Sequence, residues 1–132
     1  MAGPFQIGSS IPVLRMTDES AAKAFYVGYL GFEIEWEHRF HDAPGSPLYL
    51  QLRLAEAVVH LNGHATDDDP PSEVRIPVQG IEAFCEHLAS KAKAAGHPVP
   101  KVVDPRGAGR NTDMNLDDPD GNLLTFWEPI HD

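Results

Sequence analysis

The 132-residue sequence predicts an α+β fold in which one βαβββ unit is used twice. Segments that alternate apolar and polar residues predict strands, and two segments with apolar residues at helical spacing predict helices. Ala24-Phe25 and Ala83-Phe84 occupy matching points on these helices, about 60 residues apart, which indicates a diverged internal repeat. We therefore expect one domain over residues 1–132, with modules at about 10–62 and 74–128, an acidic linker at 63–73, and mixed β-sheets that curl around a cleft.

The first module opens with a short strand and a capped helix. Thr17-Asp18 offers an N-cap, and Gly31 ends the helix. The apolar face of this helix is predicted to carry Ala21, Ala22, Phe25, Tyr29 and Leu30. The predicted strands are residues 11–16, 33–40, 48–54 and 57–62, the last two joined by a tight turn at Ala55-Glu56. In the strand at 33–40, one face is predicted to carry Ile34, Trp36, His38 and Phe40.

The second module repeats this order after the linker. A strand runs through Val74, Ile76 and Val78, and the helix that follows ends at Gly96. The apolar face of this helix is predicted to carry Ile81, Phe84, Leu88 and Ala92. A weaker strand at 99–103 precedes the final hairpin, whose strands flank residues 118–122.

The final hairpin turns at the sequence Asp-Pro-Asp-Gly-Asn. Asp118 can cap backbone N–H groups, Pro119 pre-sets φ, and Gly121 admits a positive φ, which together are typical of a type I turn. Alternation gives the flanking strands a core face with Met114, Leu116, Leu124 and Phe126, and a more polar face with Asp113, Asn115, Thr125 and Trp127.

Ten basic and twenty acidic residues give the chain a formal net charge of −10. This excess argues against a nucleic acid or an anionic membrane as partner and favours a cationic ligand. Cys85 is the only cysteine, so an intrachain disulfide is impossible and a reducing compartment is expected. The sequence has no signal-peptide pattern and no apolar run of membrane-spanning length, so we expect a cytoplasmic protein.

The Asp-Pro-Asp-Gly-Asn hairpin follows, after about 100 residues, the segments Ile11-Pro12-Val13-Leu14, Ala24-Phe25-Tyr26 and Leu30-Gly31-Phe32. This combination resembles the vicinal-oxygen-chelate (glyoxalase/bleomycin-resistance/dioxygenase) superfamily, and its bleomycin-resistance branch most closely. The resemblance implies the glyoxalase/bleomycin-resistance fold over nearly the whole chain. It also implies a drug-binding groove between two subunits, where Trp36 aligns with an aromatic residue that stacks on the drug. Pro12 aligns with a proline associated with arm exchange between subunits.

In metal-using members of the superfamily, ligands come from the first and fourth strands of each module. The resemblance places these positions at Ile11, His60, Glu73 and Thr125. Ile11 and Thr125 offer no adequate donor, whereas a catalytic site needs about three N or O protein ligands. We therefore predict that the protein has no metal site and no cofactor.

The alternation of side chains along the predicted strands places ten residues on the side that faces the cleft. Flat aromatic rings bind flat or cationic ligands, and carboxylates at the rim favour a positive charge. With the resemblance, this predicts a bleomycin-resistance-like homodimer that sequesters a cationic aromatic small molecule, such as an antibiotic, without altering it. The predicted ligand-binding residues are Trp36, His38, Phe40, Tyr49, Gln51, His60, Glu73, Asp113, Asn115 and Trp127.

An enzyme of the same fold is the alternative. It would be a lyase or a dioxygenase with a rearranged metal site around His38, His60, Glu73 and Glu128. Covalent catalysis has little support, because the chain has no Gly-x-Ser-x-Gly elbow and the loop at 106–110 lacks the Lys-Ser/Thr of a phosphate loop. This loop is interpreted as a lip of the cleft.

Overall fold

The computed structural model describes residues 3–41, 45–66, 68–97, 99–103 and 111–129. Within them each module forms a four-stranded sheet, which confirms the predicted α+β fold of two βαβββ units. The predicted lip at 106–110 lies outside the described residues. The elements are β1 (Val13–Arg15), α1 (Glu19–Lys23), a π-helix (Ala24–Tyr29), β2 (Glu33–Arg39), β3 (Leu48–Leu54), β4 (Ala57–Asn62), β5 (Glu73–Pro77), α2 (Ile81–Ala95), β6 (Val102–Val103), β7 (Asn111–Asp117) and β8 (Leu123–Pro129).

The two sheets have the same topology. Sheet A has the strand order β1-β4-β3-β2, and sheet B has the order β5-β8-β7-β6. In each sheet the first pair is parallel and the other pairs are antiparallel. Leu14 pairs with Leu61 in sheet A as Ile76 pairs with Phe126 in sheet B, and all four side chains are buried. The internal repeat therefore extends to the register of the strands.

Each sheet has one buried face and one open face. The leucines Leu48, Leu50 and Leu52 of β3 are buried, whereas the alternate residues are partly or fully exposed. The buried faces of both sheets join the inner sides of the helices in one core, where each fully buried Leu or Phe contributes about 1.5–3 kcal/mol relative to exposure. We call the open face of sheet A, with Trp36, His38, Tyr49, Gln51 and His60, the A face. We call the open face of sheet B, with Glu73, Arg75, Asp113, Asn115, Thr125 and Trp127, the B face.

A β-bulge in β2 changes which residues share a face. Ile34 lies opposite Leu52 and Trp36 lies opposite Gln51, so Glu35 has no partner of its own in the register. After a bulge of one residue, each later side chain of the strand lies on the opposite side of the sheet from the one that strict alternation predicts. Ile34 therefore lies on the same side as the buried Leu52, while Trp36 lies on the A face. The prediction that Ile34 and Trp36 share a face was wrong.

The reversed parity also directs two charged residues of β2 toward the first helix. Glu37 forms an ion pair with Lys23 at 3.2 Å, and Arg39 forms one with Glu19 at 2.8 Å. The hydrogen bond from Arg39 holds the pKa of Glu19 below its usual value. These pairs connect an otherwise exposed strand to α1.

The first helical segment differs from the single α-helix that the sequence predicts. The Asp18 carboxylate caps α1 as expected, accepting from the Ala21 N–H at 3.0 Å. A π-helix then follows, in which the Leu30 N–H donates to the Phe25 carbonyl five residues earlier at 2.9 Å. The wider turn places Phe25, Tyr26 and Tyr29 all in the core. The sequence prediction missed the burial of Tyr26.

Helix α2 is capped by a side chain from the end of the chain. Its first backbone groups, the N–H groups of Gly80 and Ile81, donate to the two carboxylate oxygens of Glu128 at 3.0 and 3.1 Å. A negative charge at a helix N-terminus is favourable, because it meets unpaired N–H groups and the positive end of the helix dipole. Gly96 ends α2, as predicted, with φ of 75°.

The Asp-Pro-Asp-Gly-Asn turn has the predicted geometry and carries a buried carboxylate. The Gly121 N–H donates to the Asp118 carbonyl at 3.1 Å. Asp118 is 6% exposed, and its carboxylate accepts from the N–H groups of Asp120 and Asn122, each at 2.8 Å. It also accepts from the Tyr26 hydroxyl at 2.6 Å, and burial, followed by the charge of Asp118, raises the pKa of Tyr26.

The same turn is hydrogen-bonded to β1. Arg15 donates through Nε and Nη2 to the Asp120 carbonyl at 2.9 and 2.7 Å. The Asn122 amide donates to the Arg15 carbonyl at 2.9 Å and accepts from the Ser72 N–H at 2.9 Å. The hairpin of the second module is thus hydrogen-bonded to the first strand of the first module.

Among the described residues, no helix is long and apolar enough to span a membrane.

The Asp118→Asn variant should lower the free energy of unfolding by about 1–3 kcal/mol. An amide nitrogen at this position would donate where the carboxylate now accepts from Tyr26 and Asn122. Urea denaturation followed by circular dichroism measures the change. Asp117→Asn, at the exposed neighbouring residue, is the matched control and should change the free energy by less than about 0.5 kcal/mol. Equal midpoints for the Asp118 variant and the parent would contradict the role of this carboxylate.

Candidate functional site

The A face presents a half-exposed aromatic cluster. The Trp36 ring lies nearly parallel to the Tyr49 ring, at 12° and with 6.1 Å between centroids. The His60 ring meets Trp36 edge-on, with 5.4 Å between centroids. Trp36 remains 43% exposed, whereas large apolar side chains in the core are almost fully buried. An exposed aromatic patch of this kind is typical of a binding surface.

A chain of hydrogen bonds crosses the A face beside these rings. The Tyr49 hydroxyl lies 2.8 Å from His60 Nδ1, and His60 Nε2 lies 2.8 Å from Gln51 Oε1. Gln51 Nε2 donates to Glu35 Oε1 at 2.8 Å, and Arg53 Nε donates to Glu35 Oε2 at 2.8 Å. We call these five residues the polar chain. Glu35 joins it because the β-bulge turns its side chain toward Gln51 and Arg53.

A second ring cluster lies at the end of β2. The His38 and Phe40 rings meet edge-on with centroids 4.6 Å apart, and Phe40 meets His64 with centroids 4.3 Å apart. His64 belongs to the segment predicted as the acidic linker at 63–73, so its contact with Phe40 was not predicted. No periodic signal could have found it, because His64 follows the end of β4 and reaches Phe40 only through the folded sheet.

The B face is more polar than the A face. Arg75 lies over the Trp127 ring, with its guanidinium carbon 5.5 Å from the ring centroid, and pairs with Asp113 at 3.4 Å. Thr125 donates to the Asn115 side chain at 2.6 Å. Arg75 was not among the predicted site residues, although its parity with Glu73 on β5 is a signal that could have identified it. The charge of Arg75 offsets that of Asp113, and its guanidinium group covers part of the Trp127 ring.

The structure separates the ten predicted residues into two groups. Six of them lie on or beside the A face, namely Trp36, His38, Phe40, Tyr49, Gln51 and His60. Glu73, Asp113, Asn115 and Trp127 lie on the B face. Between described residues, no hydrogen bond, ion pair or ring contact joins the two faces. Side-chain contacts within one chain therefore do not bring all ten residues together in one site.

The residues at the superfamily's metal positions do not fit a metal ion. Ile11 and Thr125 provide no adequate donor, and both ring nitrogens of His60 are hydrogen-bonded within the polar chain. Glu128, which the alternative enzyme site would use, caps α2 instead. Within the described part of the chain, no group of three His, Cys, Asp or Glu side chains could hold a metal ion.

A cavity of about 670 Å³ lies elsewhere, between the β3–β4 turn and the start of α2. None of the ten predicted residues lines it, and its polar side chains are Glu56 and Gln79. Ligand sites usually combine apolar surface with several convergent polar groups that fix orientation. The A face has both, so we take it as the candidate site.

Solved structures with the same fold include proteins that bind antibiotics. A glyoxalase family protein from Bacillus anthracis is 18% identical, with 98% of this chain and 99% of that chain covered and a TM-score of 0.67. TnmS3, an antibiotic binding protein from Streptomyces sp. CB03234, is 20% identical, with 95% and 99% covered and a TM-score of 0.62. A bleomycin-binding protein complexed with bleomycin is 21% identical, with 92% and 98% covered and a TM-score of 0.60. At these identities, the likeness shows the fold.

The search of curated proteins found no match. The family model described as "Glyoxalase superfamily protein" matches residues 2–131, nearly the whole chain. This chain therefore belongs to the glyoxalase superfamily, as its hairpin and helix motifs predicted.

Proposed function

We propose that the protein sequesters a flat, cationic aromatic small molecule, such as an antibiotic, without a metal ion and without altering the ligand. The observation that carries the proposal is the A face, where the half-exposed Trp36 ring lies parallel to Tyr49 beside hydrogen-bonding groups. Flat aromatic surface favours flat ligands and attracts cations. In support, two proteins of the same fold are described as antibiotic-binding and bleomycin-binding.

The charge of the chain supports a cationic ligand. The formal net charge is −10, which attracts cations at long range. On the B face, Asp113 is already paired with Arg75, whereas Glu73 is exposed and forms no ion pair with any described residue. Glu73 is therefore the carboxylate that we expect to meet the cationic group.

We propose that the complete site forms between two copies of the chain, with the A face of one protomer opposite the B face of its partner. In one protomer Val13, Trp36 and Phe40 are 46%, 43% and 47% exposed. Strand β2 is also an edge strand of sheet A, and an unpaired edge is usually covered. Exposed Phe5 and Ile7, in the segment before β1, add apolar surface that a partner can bury.

Ligand binding should quench tryptophan fluorescence saturably, because Trp36 and Trp127 are the two tryptophans of the chain and lie on the A and B faces. Bleomycin and other basic aromatic compounds are the first panel. Trp36→Ala should weaken binding by about 1–3 kcal/mol through loss of stacking surface. Glu73→Gln should weaken it less, since a solvent-screened charge contributes about 0–1 kcal/mol.

Ile34→Ala is the matched control for Trp36→Ala. Ile34 lies in the same strand, is 38% exposed and lies on the opposite side of the sheet. Ile34→Ala should bind the ligand as tightly as the parent. Weaker binding by Trp36→Ala then cannot be explained by a general disturbance of β2. The proposal fails if the panel gives no saturable change, or if Trp36→Ala binds as tightly as the parent.

Protein purified without chelator should contain no stoichiometric Zn, Fe, Mn or Ni. Ile11 and Thr125 offer no adequate donor, and the hydrogen bonds of His60 occupy both ring nitrogens. Elemental analysis measures the content directly. One equivalent of metal per chain that is lost in His60→Ala would overturn the metal-free proposal.

Sedimentation at micromolar concentration should show a species of twice the 14.5 kDa chain mass. Val13→Asp should shift this equilibrium toward the monomer, because it places a charge on the exposed apolar part of sheet A. A parent protein that sediments only at 14.5 kDa would contradict the dimer.

A further inference from the structure

In the polar chain on the A face, the donor and the acceptor of each hydrogen bond can be assigned, starting from Glu35. This carboxylate accepts from Arg53 and Gln51, and the hydrogen bond from Arg53, followed by that from Gln51, holds the pKa of Glu35 below its usual value. Glu35 is therefore ionised at neutral pH and can only accept hydrogen bonds. Its partner on Gln51 has to be the amide nitrogen.

The orientation of Gln51 then decides which nitrogen of His60 carries the proton. With its amide nitrogen on Glu35, Gln51 turns its carbonyl oxygen toward His60 Nε2 at 2.8 Å. A carbonyl can only accept, so His60 Nε2 must donate. In the neutral imidazole, Nδ1 is consequently the acceptor.

Tyr49 completes the chain. Its hydroxyl lies 2.8 Å from His60 Nδ1 and, where Nδ1 is the acceptor, donates its single proton there. Burial raises the pKa of Tyr49, so this proton is retained at neutral pH. Toward a ligand the hydroxyl can therefore offer only oxygen lone pairs, which accept.

The half-exposed Trp36 ring lies beside the Tyr49 ring, with 6.1 Å between the two centroids. A flat molecule stacked on Trp36 would therefore cover the side of the face where Tyr49 lies. We propose that Tyr49 is a specificity-determining residue that selects flat aromatic ligands with an N–H or O–H donor at their edge. Arg53, Glu35, Gln51 and His60 are positioning residues that set the direction of the Tyr49 hydroxyl. This inference rests on the proposed function.

Indole and N-methylindole are matched probes, because they share a flat ring system and only indole has an N–H donor. In NMR titrations of the full chain, indole should bind about 2- to 10-fold more tightly, as expected for one additional hydrogen bond. In Tyr49→Phe this preference should fall to about 1-fold. Gln51→Leu should also reduce the preference, since the tautomer of His60 is then no longer fixed.

A nitrogen NMR spectrum of the free protein tests the direction of the chain independently. Nε2 of His60 should carry the proton that it donates to Gln51, and the ring signals can be assigned by their loss in His60→Gln. A proton on Nδ1 would overturn the inference, as would an indole preference that persists unchanged in Tyr49→Phe. Equal binding of both probes by the parent would overturn the donor selectivity and leave the proposed function standing. The absence of any Trp36-dependent binding would overturn both.

Discussion

The buried carboxylate of Asp118 is the interaction on which the arrangement of the two modules depends. It accepts four hydrogen bonds, from the backbone of Asp120, from the backbone and side chain of Asn122, and from the Tyr26 hydroxyl. A buried charge without such partners costs several kcal/mol, so the turn and Tyr26 have to remain together. The π-helix brings Tyr26 within reach, and Arg15 holds the other side of the turn. The two sheets are thereby held with their buried faces in a common core and their open faces free.

The β-bulge at Glu35 is the local feature that makes the A face. Without it, strict alternation would place Glu35 and Trp36 on opposite sides of β2. With it, Trp36 lies opposite Gln51 and the Glu35 side chain reaches Gln51 and Arg53. One additional residue in an edge strand therefore brings together a stacking surface and a hydrogen-bonded network. Bulges often redirect side chains in this way next to functional sites.

Periodic and local features of the fold could be predicted from the sequence, and long-range ones could not. Alternation identified the strand at 48–54, and the turn residues identified the type I turn at Asp118. The bulge has no residue signature at Glu35, so the parity of Ile34 was assigned wrongly. The Glu128 cap joins groups 47 and 48 residues apart, a contact that exists only after the sheet has formed. The position of Arg75 over Trp127 likewise depends on the parallel pairing of β5 with β8.

The A face divides its residues between structure and recognition. A general base or a metal ligand needs a free lone pair directed at its target, and His60 has none while Tyr49 and Gln51 remain bonded to it. Breaking either bond would leave a partly buried polar group unsatisfied, which costs about 1–3 kcal/mol. The Trp36 ring, in contrast, lies against the rings of Tyr49 and His60 and is 43% exposed. In this arrangement the hydrogen bonds of His60 are directed at Tyr49 and Gln51 while the Trp36 ring stays exposed, which is the physical reason that we propose binding rather than catalysis at this face.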